Sequence, residues 1–76
     1  MPRYFFHIFG SNGAIPDEEG VELPNNEAAI RLGNSSAREL LKLIIEEHGV
    51  MDDGRIDIVD KDAVPVATFL LRDFVH

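Results

Sequence analysis

The chain has 76 residues, of which 45% are hydrophobic and none is cysteine, and its formal net charge is −7. This length predicts one domain over residues 1–76, and the lack of cysteine excludes disulfides, zinc–thiolate sites and thiol catalysis. The acidic balance argues against nucleic acids and anionic membranes as partners. No targeting segment is visible and no apolar run is long enough for a membrane span, which predicts a cytoplasmic protein.

Two strands are predicted before the helix. Aromatic and β-branched residues fill positions 3–9, which is typical of a strand, and Gly10-Ser11-Asn12-Gly13 predicts a turn. Residues 14–23 predict a short, irregular second strand, because Pro16 and the acidic run Asp17-Glu18-Glu19 interrupt it. The alternation of a strand places Tyr4, Phe6 and Ile8 on one face and Phe5, His7 and Phe9 on the other.

A long amphipathic helix is predicted from Asn26 to His48. Asparagine can cap its first turn, Glu27 suits the positive end of the helix dipole, and Gly49 favours a stop. At about 100° per residue, one stripe faces the core, made of Ala29, Ile30, Gly33, Ala37, Leu40, Leu41, Ile44, Ile45 and His48. Gly33 lies on this stripe, which favours a close approach to a strand over a bend in the helix.

Two more strands follow the helix. Residues 55–60 alternate with strand period, residues 60–63 predict a turn, and residues 64–71 predict a last strand whose Pro65 indicates an edge position or a bulge. The predicted fold class is α+β with the plan β-β-α-β-β, an antiparallel sheet with one long amphipathic helix packed on one face. If Val59 pairs with Val64, then Val59, Val66 and Leu70 join Phe5 and Phe9 on the uncovered face.

This uncovered face and two leucines are the candidate interaction surface. Leu32 and Leu43 project together, away from the core stripe, either as scattered exposed leucines or as a second contact surface. An apolar sheet face is seldom left in water, so we expect the open face or a sheet edge to mediate homodimerisation. The candidate residues are Phe5, His7, Phe9, Leu32, Leu43, Val66 and Leu70.

No pattern of residues indicates catalysis, a cofactor or a metal. His7, His48 and His76 are not spaced as metal ligands, and the acidic runs at 17–19 and 52–53 lack the calcium-loop pattern. Asp60 and Asp62 lie in a predicted turn, where aspartates bond the local backbone. We therefore expect no enzyme activity, no cofactor and no metal.

The chain resembles a family of short bacterial proteins of unknown function, common in rhizobia and their relatives. The resemblance rests on the opening words Met1-Pro2-Arg3-Tyr4-Phe5-Phe6-His7, on the acidic segment from Asp17 to Leu23, on Glu27-Ala28-Ala29 and on the run from Ser36 to Leu41. It implies no activity and no site residues. Ala63 stands where a glycine is usual, so we expect a different conformation at that turn position.

A looser likeness is to HicB-like antitoxin domains, which bind a small basic toxin and carry a sheet with helices on one face. This likeness is an analogy at the level of fold. The sequence therefore predicts a non-catalytic interaction module that forms a homodimer. The alternative is an antitoxin-like or regulatory protein that binds a small basic partner.

Overall fold

The structure is a computed structural model that describes residues 1–10, 13–48 and 54–74, without the side chains of residues 47 and 48. Several predictions therefore lie outside the described residues. They concern the turn at Ser11-Asn12, the helix stop at Gly49, the acidic pair 52–53, and the side chains of His48 and His76.

The described residues form five strands, one long α-helix and one 3₁₀ helix: β1 (Arg3–Gly10), β2 (Gly13–Ile15), β3 (Val21–Glu22), α1 (Asn26–His48), β4 (Arg55–Asp60), β5 (Pro65–Leu70) and the 3₁₀ helix (Leu71–Phe74). This architecture confirms the predicted α+β class and the predicted bounds of α1. The irregular second strand is divided into β2 and β3. Among the described residues, no helix has both the length and the apolar composition needed to cross a lipid bilayer.

The strands form one antiparallel sheet in the order β2-β1-β4-β5, and β3 pairs with β1 on the same side as β2. Phe6 pairs with Ile58 and Ile8 pairs with Ile56, so these side chains share the face that α1 covers. The neighbouring pair of His7 with Asp57 lies on the opposite, open face. The predicted division of the β1 side chains between the two faces is confirmed.

The prediction that Val66 lies on the open face is wrong. Val59 pairs with Pro65 rather than with Val64, and the register shifts between Ile58 and Val59. A β-bulge places one extra residue on one strand, which turns that residue out of the regular alternation. Val66 is this extra residue, and its side chain packs against the core instead. Pro65 thus lies in an edge strand and next to a bulge, and the sequence predicts one or the other.

Small residues bring α1 close to the sheet. Ala29 and Ala37 are fully buried, and a Cβ added at Gly33 would lie 2.6 Å from both Ile58 Cδ1 and Phe69 Cε2. The predicted close approach at Gly33 is therefore confirmed. The prediction that Ile30 and Ile45 face the core is wrong, since they are 40% and 46% exposed. Because α1 contacts the sheet through its small side chains, Ile30 and Ile45 lie beside the line of contact, on a flank of the helix.

Asn25 caps α1. The N–H of Ala28 donates to Asn25 Oδ1 over 2.9 Å, which satisfies one of the free donors of the first turn. We expect Asn25→Ala to lower the free energy of unfolding by about 1 kcal/mol, measured by urea denaturation. Ser35→Ala, at an exposed position of the same helix, serves as the control and should change stability by less than about 0.5 kcal/mol. Equal effects of the two substitutions would contradict the assignment of the cap.

The turn between β4 and β5 is held by Asp60. Its Oδ1 accepts hydrogen bonds from the N–H groups of Asp62 and Val64, each over 2.9 Å, which confirms the predicted turn chemistry. Ala63 has a φ of 63°, in the left-handed region that favours glycine. The expectation that alanine takes a different conformation here is wrong, because the surrounding bonds hold the residue in place.

Ala63→Gly should therefore stabilise the protein. Relief of the left-handed strain outweighs the extra flexibility of glycine in the unfolded chain, and we expect a gain of about 0.5–1 kcal/mol in thermal or urea unfolding. Ala14→Gly is the matched control, since Ala14 is also exposed but lies in β2 with a negative φ. That change should cost about 0.5–1 kcal/mol. If both substitutions destabilise, the strain at Ala63 is negligible.

Candidate interaction surfaces

The open face of the sheet carries the aromatic residues of β1. The rings of Phe5 and His7 stack with their centroids 6.4 Å apart and their planes at 13°. The guanidinium carbon of Arg55 lies 4.3 Å from the centroid of the Phe9 ring. Phe5, His7 and Phe9 are consequently half-buried. Polar and aromatic neighbours thus cover much of the apolar area on this face.

Asp57 is the polar centre of the open face. Its Oδ1 accepts a hydrogen bond from the Thr68 hydroxyl over 3.1 Å and one from Arg55 Nε over 3.2 Å. The pair of Arg55 and Asp57 is solvent-accessible, and such pairs contribute about 0–1 kcal/mol to stability.

Among the described residues, no three histidine, aspartate or glutamate side chains gather in a way that could hold a metal ion.

The outer edge of β1 is closed by a side chain as well as by strands. β2 pairs with residues 8–10 and β3 pairs with residues 3–4, which leaves the middle of the edge without a strand partner. Asp17 fills this gap, because its Oδ2 accepts from the N–H of Phe6 over 3.1 Å and its Oδ1 from the N–H of Gly20 over 3.0 Å. The N–H of Asp17 donates to Nδ1 of His7 over 3.0 Å. We call these three hydrogen bonds the Asp17 clasp.

The sequence did not predict the clasp, because the acidic run 17–19 indicates only an interruption of a strand. The spacing of Asp17 and Gly20 is the signal that could have revealed it. An aspartate followed three residues later by glycine is typical of a turn in which the carboxylate accepts from the backbone. Gly20 has a φ of 71° and packs against Phe5, since an added Cβ would lie 2.9 Å from Phe5 Cε1.

Hydrogen bonding in the clasp lowers the pKa of Asp17 below its usual value of 3.8. Partial burial by itself raises this pKa, because it penalises the charged form. The N–H groups of Phe6, Gly20 and Glu19 favour the carboxylate and lower the pKa by more than burial raises it. The two hydrogen bonds that the Asp17 carboxylate accepts therefore keep their full strength above pH 3.8 and lose it as the pH falls through the lowered pKa of the folded state.

Both flanks of α1 carry large apolar side chains that reach solvent. Arg38 lies over Phe74 at 5.7 Å, and Phe74 packs on Phe69 of β5, so this flank faces β5. At about 100° per residue, the exposed isoleucines at 30 and 45 belong to the same flank. Leu32 and Leu43 stand on the opposite flank, 39% and 51% exposed, on the side of β1 and β2. Their predicted projection away from the core is confirmed.

The candidate interaction residues thus occupy three places. Phe5, His7, Phe9 and Leu70 lie on the open face, where they are half-buried. Leu32 and Leu43 lie on one flank of α1, and Val66 lies in the core layer. The large exposed apolar residues that sequence reasoning missed are Met1, the isoleucines at 15, 30 and 45, and Val64.

Residues 3–72 match the family described as Domain of unknown function (DUF6894). The chain belongs to the DUF6894 family. The match runs from the first residue of β1 into the 3₁₀ helix, so all five strands and α1 are parts of the DUF6894 domain. No curated protein and no solved structure matched the chain.

An apolar cavity of about 250 Å³ lies at one end of the DUF6894 domain, between α1 and the hairpin of β1 and β2. Leu40 and Ile44 line it from the helix, Ile8 and Ile15 from the strands, and Leu71 from the 3₁₀ helix. Ile15 is 67% exposed at its rim. The helix-side layer of the domain is therefore incompletely filled near β2.

Proposed function

We propose that this DUF6894 domain is a non-catalytic protein–protein interaction module that associates with itself. One observation carries the proposal, namely the exposed apolar side chains on both flanks of α1. Ile30, Leu32, Leu43 and Ile45 are each about two-fifths to one-half exposed. The surface helix of a small monomer usually carries one apolar stripe toward the core and polar residues elsewhere. Additional apolar flanks are typical of surfaces that become buried in an assembly.

The size of the domain supports the same proposal. A chain of this length buries a smaller fraction of its surface than a larger domain does, and natural small domains gain stability from disulfides, metals or oligomers. Disulfides are excluded here, because the chain has no cysteine. Self-association removes further apolar surface from water without any such linkage.

Sedimentation velocity over a wide range of protein concentrations tests this proposal. We expect the sedimenting mass to rise from 8.5 kDa toward twice that value with concentration. The midpoint of thermal unfolding should rise with concentration as well, because association stabilises only the folded state. A particle of 8.5 kDa at every concentration, with a constant midpoint, would show that the domain does not self-associate.

Binding of a small basic protein is a second candidate function, and the distribution of charge supports it. The edge and turn at one end of the sheet carry more acidic than basic residues. The acidic residues are Glu18, Glu19, Glu22, Asp60 and Asp62, and the basic residues are Arg3 and Lys61. An acidic patch of this kind raises the association rate of a basic partner and makes binding sensitive to salt. The likeness to antitoxin domains points to the same class of partner.

Charge reversal distinguishes binding of a basic protein at this acidic patch from nonspecific attraction to the net negative charge of the domain. The probe is a lysine-rich and arginine-rich peptide, titrated by calorimetry at low and high salt. The double variant Glu18→Lys with Glu19→Lys should weaken binding more than Glu39→Lys with Glu46→Lys, which has the same net charge but alters exposed residues of α1. Equal weakening by both variants would mean that the peptide responds only to net charge.

A further inference from the structure

The imidazole ring of His7 acts as a hydrogen-bond acceptor in the Asp17 clasp. The N–H of Asp17 donates to Nδ1 of His7 over 3.0 Å, and both residues are half-buried. A backbone N–H can only donate, so Nδ1 has to carry a free lone pair and no proton. The geometry therefore requires a neutral ring whose one N–H proton is on Nε2.

A proton on His7 removes this hydrogen bond. Both ring nitrogens of a protonated histidine are donors, so the ring then offers no acceptor to the N–H of Asp17. Histidine is the side chain that changes its charge between about pH 5 and 8. The attachment of the Asp17 backbone to β1 is thus linked to the proton of a histidine.

The other two bonds of the clasp depend on a different proton. The N–H groups of Phe6 and Gly20 donate to the carboxylate of Asp17 over 3.1 and 3.0 Å. These bonds weaken only below pH 3.8, because the backbone N–H groups lower the pKa of this carboxyl. Asp17 is therefore held twice, through its backbone by His7 and through its side chain by backbone N–H groups, and acid acts on the two attachments separately.

The charged groups beside the ring are suited to a positive charge on it. Asp57 of β4 is the direct partner of His7 on the open face, and cross-strand partners have Cβ atoms about 4.5–5.5 Å apart. The carboxylate of Asp17 approaches from the outer edge of β1. Arg55 also lies on this face, but its guanidinium bonds to Asp57, and β5 presents the uncharged Thr68. A protonated ring thus exchanges a backbone partner for neighbouring carboxylates.

We propose that the Asp17 clasp opens in two steps as the pH falls, and that His7 controls the first step. In that step the ring takes up a proton and releases the N–H of Asp17, and a positive charge appears at the centre of the open face. The carboxylate of Asp17 still closes the gap in the edge of β1. The second step follows in stronger acid, when this carboxylate takes up its own proton. The inference goes beyond the self-association proposed above and does not depend on it, because it concerns a single chain.

Amide hydrogen exchange resolves the two steps, because each bond of the clasp has its own N–H. Exchange is followed from about pH 8 to 5 and compared at each pH with the intrinsic rate of an unprotected amide. We expect the protection of Asp17 to fall about fivefold, the effect of one typical hydrogen bond, with the same midpoint as the ring signals of His7. The N–H groups of Phe6 and Gly20 should keep their protection. Constant protection of Asp17, or a parallel loss at all three amides, would overturn the proposal.

Substitution assigns the first step to His7. His7→Asn keeps an acceptor oxygen near the position of Nδ1 but takes up no proton, so the protection of Asp17 should become independent of pH in this range. His48→Asn removes a histidine at the end of α1 and should leave the step unchanged. A step that persists in His7→Asn, or that disappears in His48→Asn, would show that another group controls it.

Nuclear magnetic resonance of the unsubstituted chain covers the case in which His7→Asn does not fold. The hydrogen bond joins two nitrogen atoms, so ¹⁵N labelling should give a scalar coupling between the amide nitrogen of Asp17 and Nδ1 of His7. We expect this coupling at about pH 8 and its loss as the ring takes up a proton. No coupling at about pH 8, or a coupling that survives protonation of the ring, would contradict the role of His7.

Discussion

Replacing Gly33 by leucine is expected to lower the free energy of unfolding by about 3 kcal/mol or more, or to prevent folding. Even a single added Cβ at this position would lie 2.6 Å from Ile58 Cδ1 and Phe69 Cε2. Gly33→Ala is the more informative substitution, because two effects oppose each other. Alanine gains about 1 kcal/mol in helix propensity, whereas overpacking costs about 1–3 kcal/mol. We expect a net loss, measured by urea denaturation.

A double-mutant cycle separates the two effects at Gly33. Ile58→Val removes the Cδ1 atom that an added Cβ would meet, so Gly33→Ala should cost less in that background than in the parent chain. Ser35→Ala, exposed on the same helix, serves as the control and should show no coupling to Ile58→Val. If Gly33→Ala stabilises the parent chain, helix propensity dominates and the close contact is not limiting.

Removing the Asp17 carboxylate by Asp17→Ala is the second substitution with a large expected effect, a loss of about 2–3 kcal/mol in the free energy of unfolding. Hydrogen bonds to charged groups contribute about 1.5–3 kcal/mol each, and solvent reduces this value at a half-buried site. The loss leaves the N–H of Phe6 without its acceptor on the edge of β1. We therefore also expect faster aggregation, because an unsatisfied strand edge pairs with other chains.

The pH dependence identifies the carboxylate as the cause. Because the pKa of Asp17 is lower in the folded state, its contribution is present above pH 3.8 and is lost as the pH falls further. The stability difference between the parent chain and Asp17→Asn should thus be constant near neutral pH and shrink in acid. Glu18→Gln, which changes an exposed neighbour, is the control and should give a small difference throughout. A difference for Asp17→Asn that persists at low pH would contradict the role of the charge.

The helix and the regular strands could be predicted because their sequence signals are local. The alternation in β1 and β4 and the asparagine before α1 determine faces and boundaries through nearby residues alone. The Gly33 contact could be inferred too, since a glycine on the core-facing stripe of a helix lowers helix propensity but lets a strand approach closely. These features follow from periodicity and from the cost of exposing backbone groups.

The features that could not be predicted depend on pairs distant in sequence. Pro65 indicates a bulge or an edge position, but it does not determine which strand position receives the extra residue, and that position sets the register of β4 with β5. The exposure of Ile30 depends on where the small residues of α1 set the line of contact. The bond between the N–H of Phe6 and Asp17 requires a gap between β2 and β3 that forms only in the folded sheet.

The central position of β1 in the sheet also constrains the order in which the chain can fold. Its inner partner is β4, with Tyr4 paired to Asp60 and Phe9 paired to Arg55. These pairs cannot form until β4 has been synthesised. During synthesis, β1 emerges first and β4 emerges only after α1. Contacts this distant in sequence slow folding. A fragment that ends after α1 would therefore leave the inner edge of β1, with its backbone N–H and C=O groups, unpaired. Premature termination of translation between α1 and β4 should consequently yield an insoluble product, even though α1 and the pair of β1 with β2 are complete.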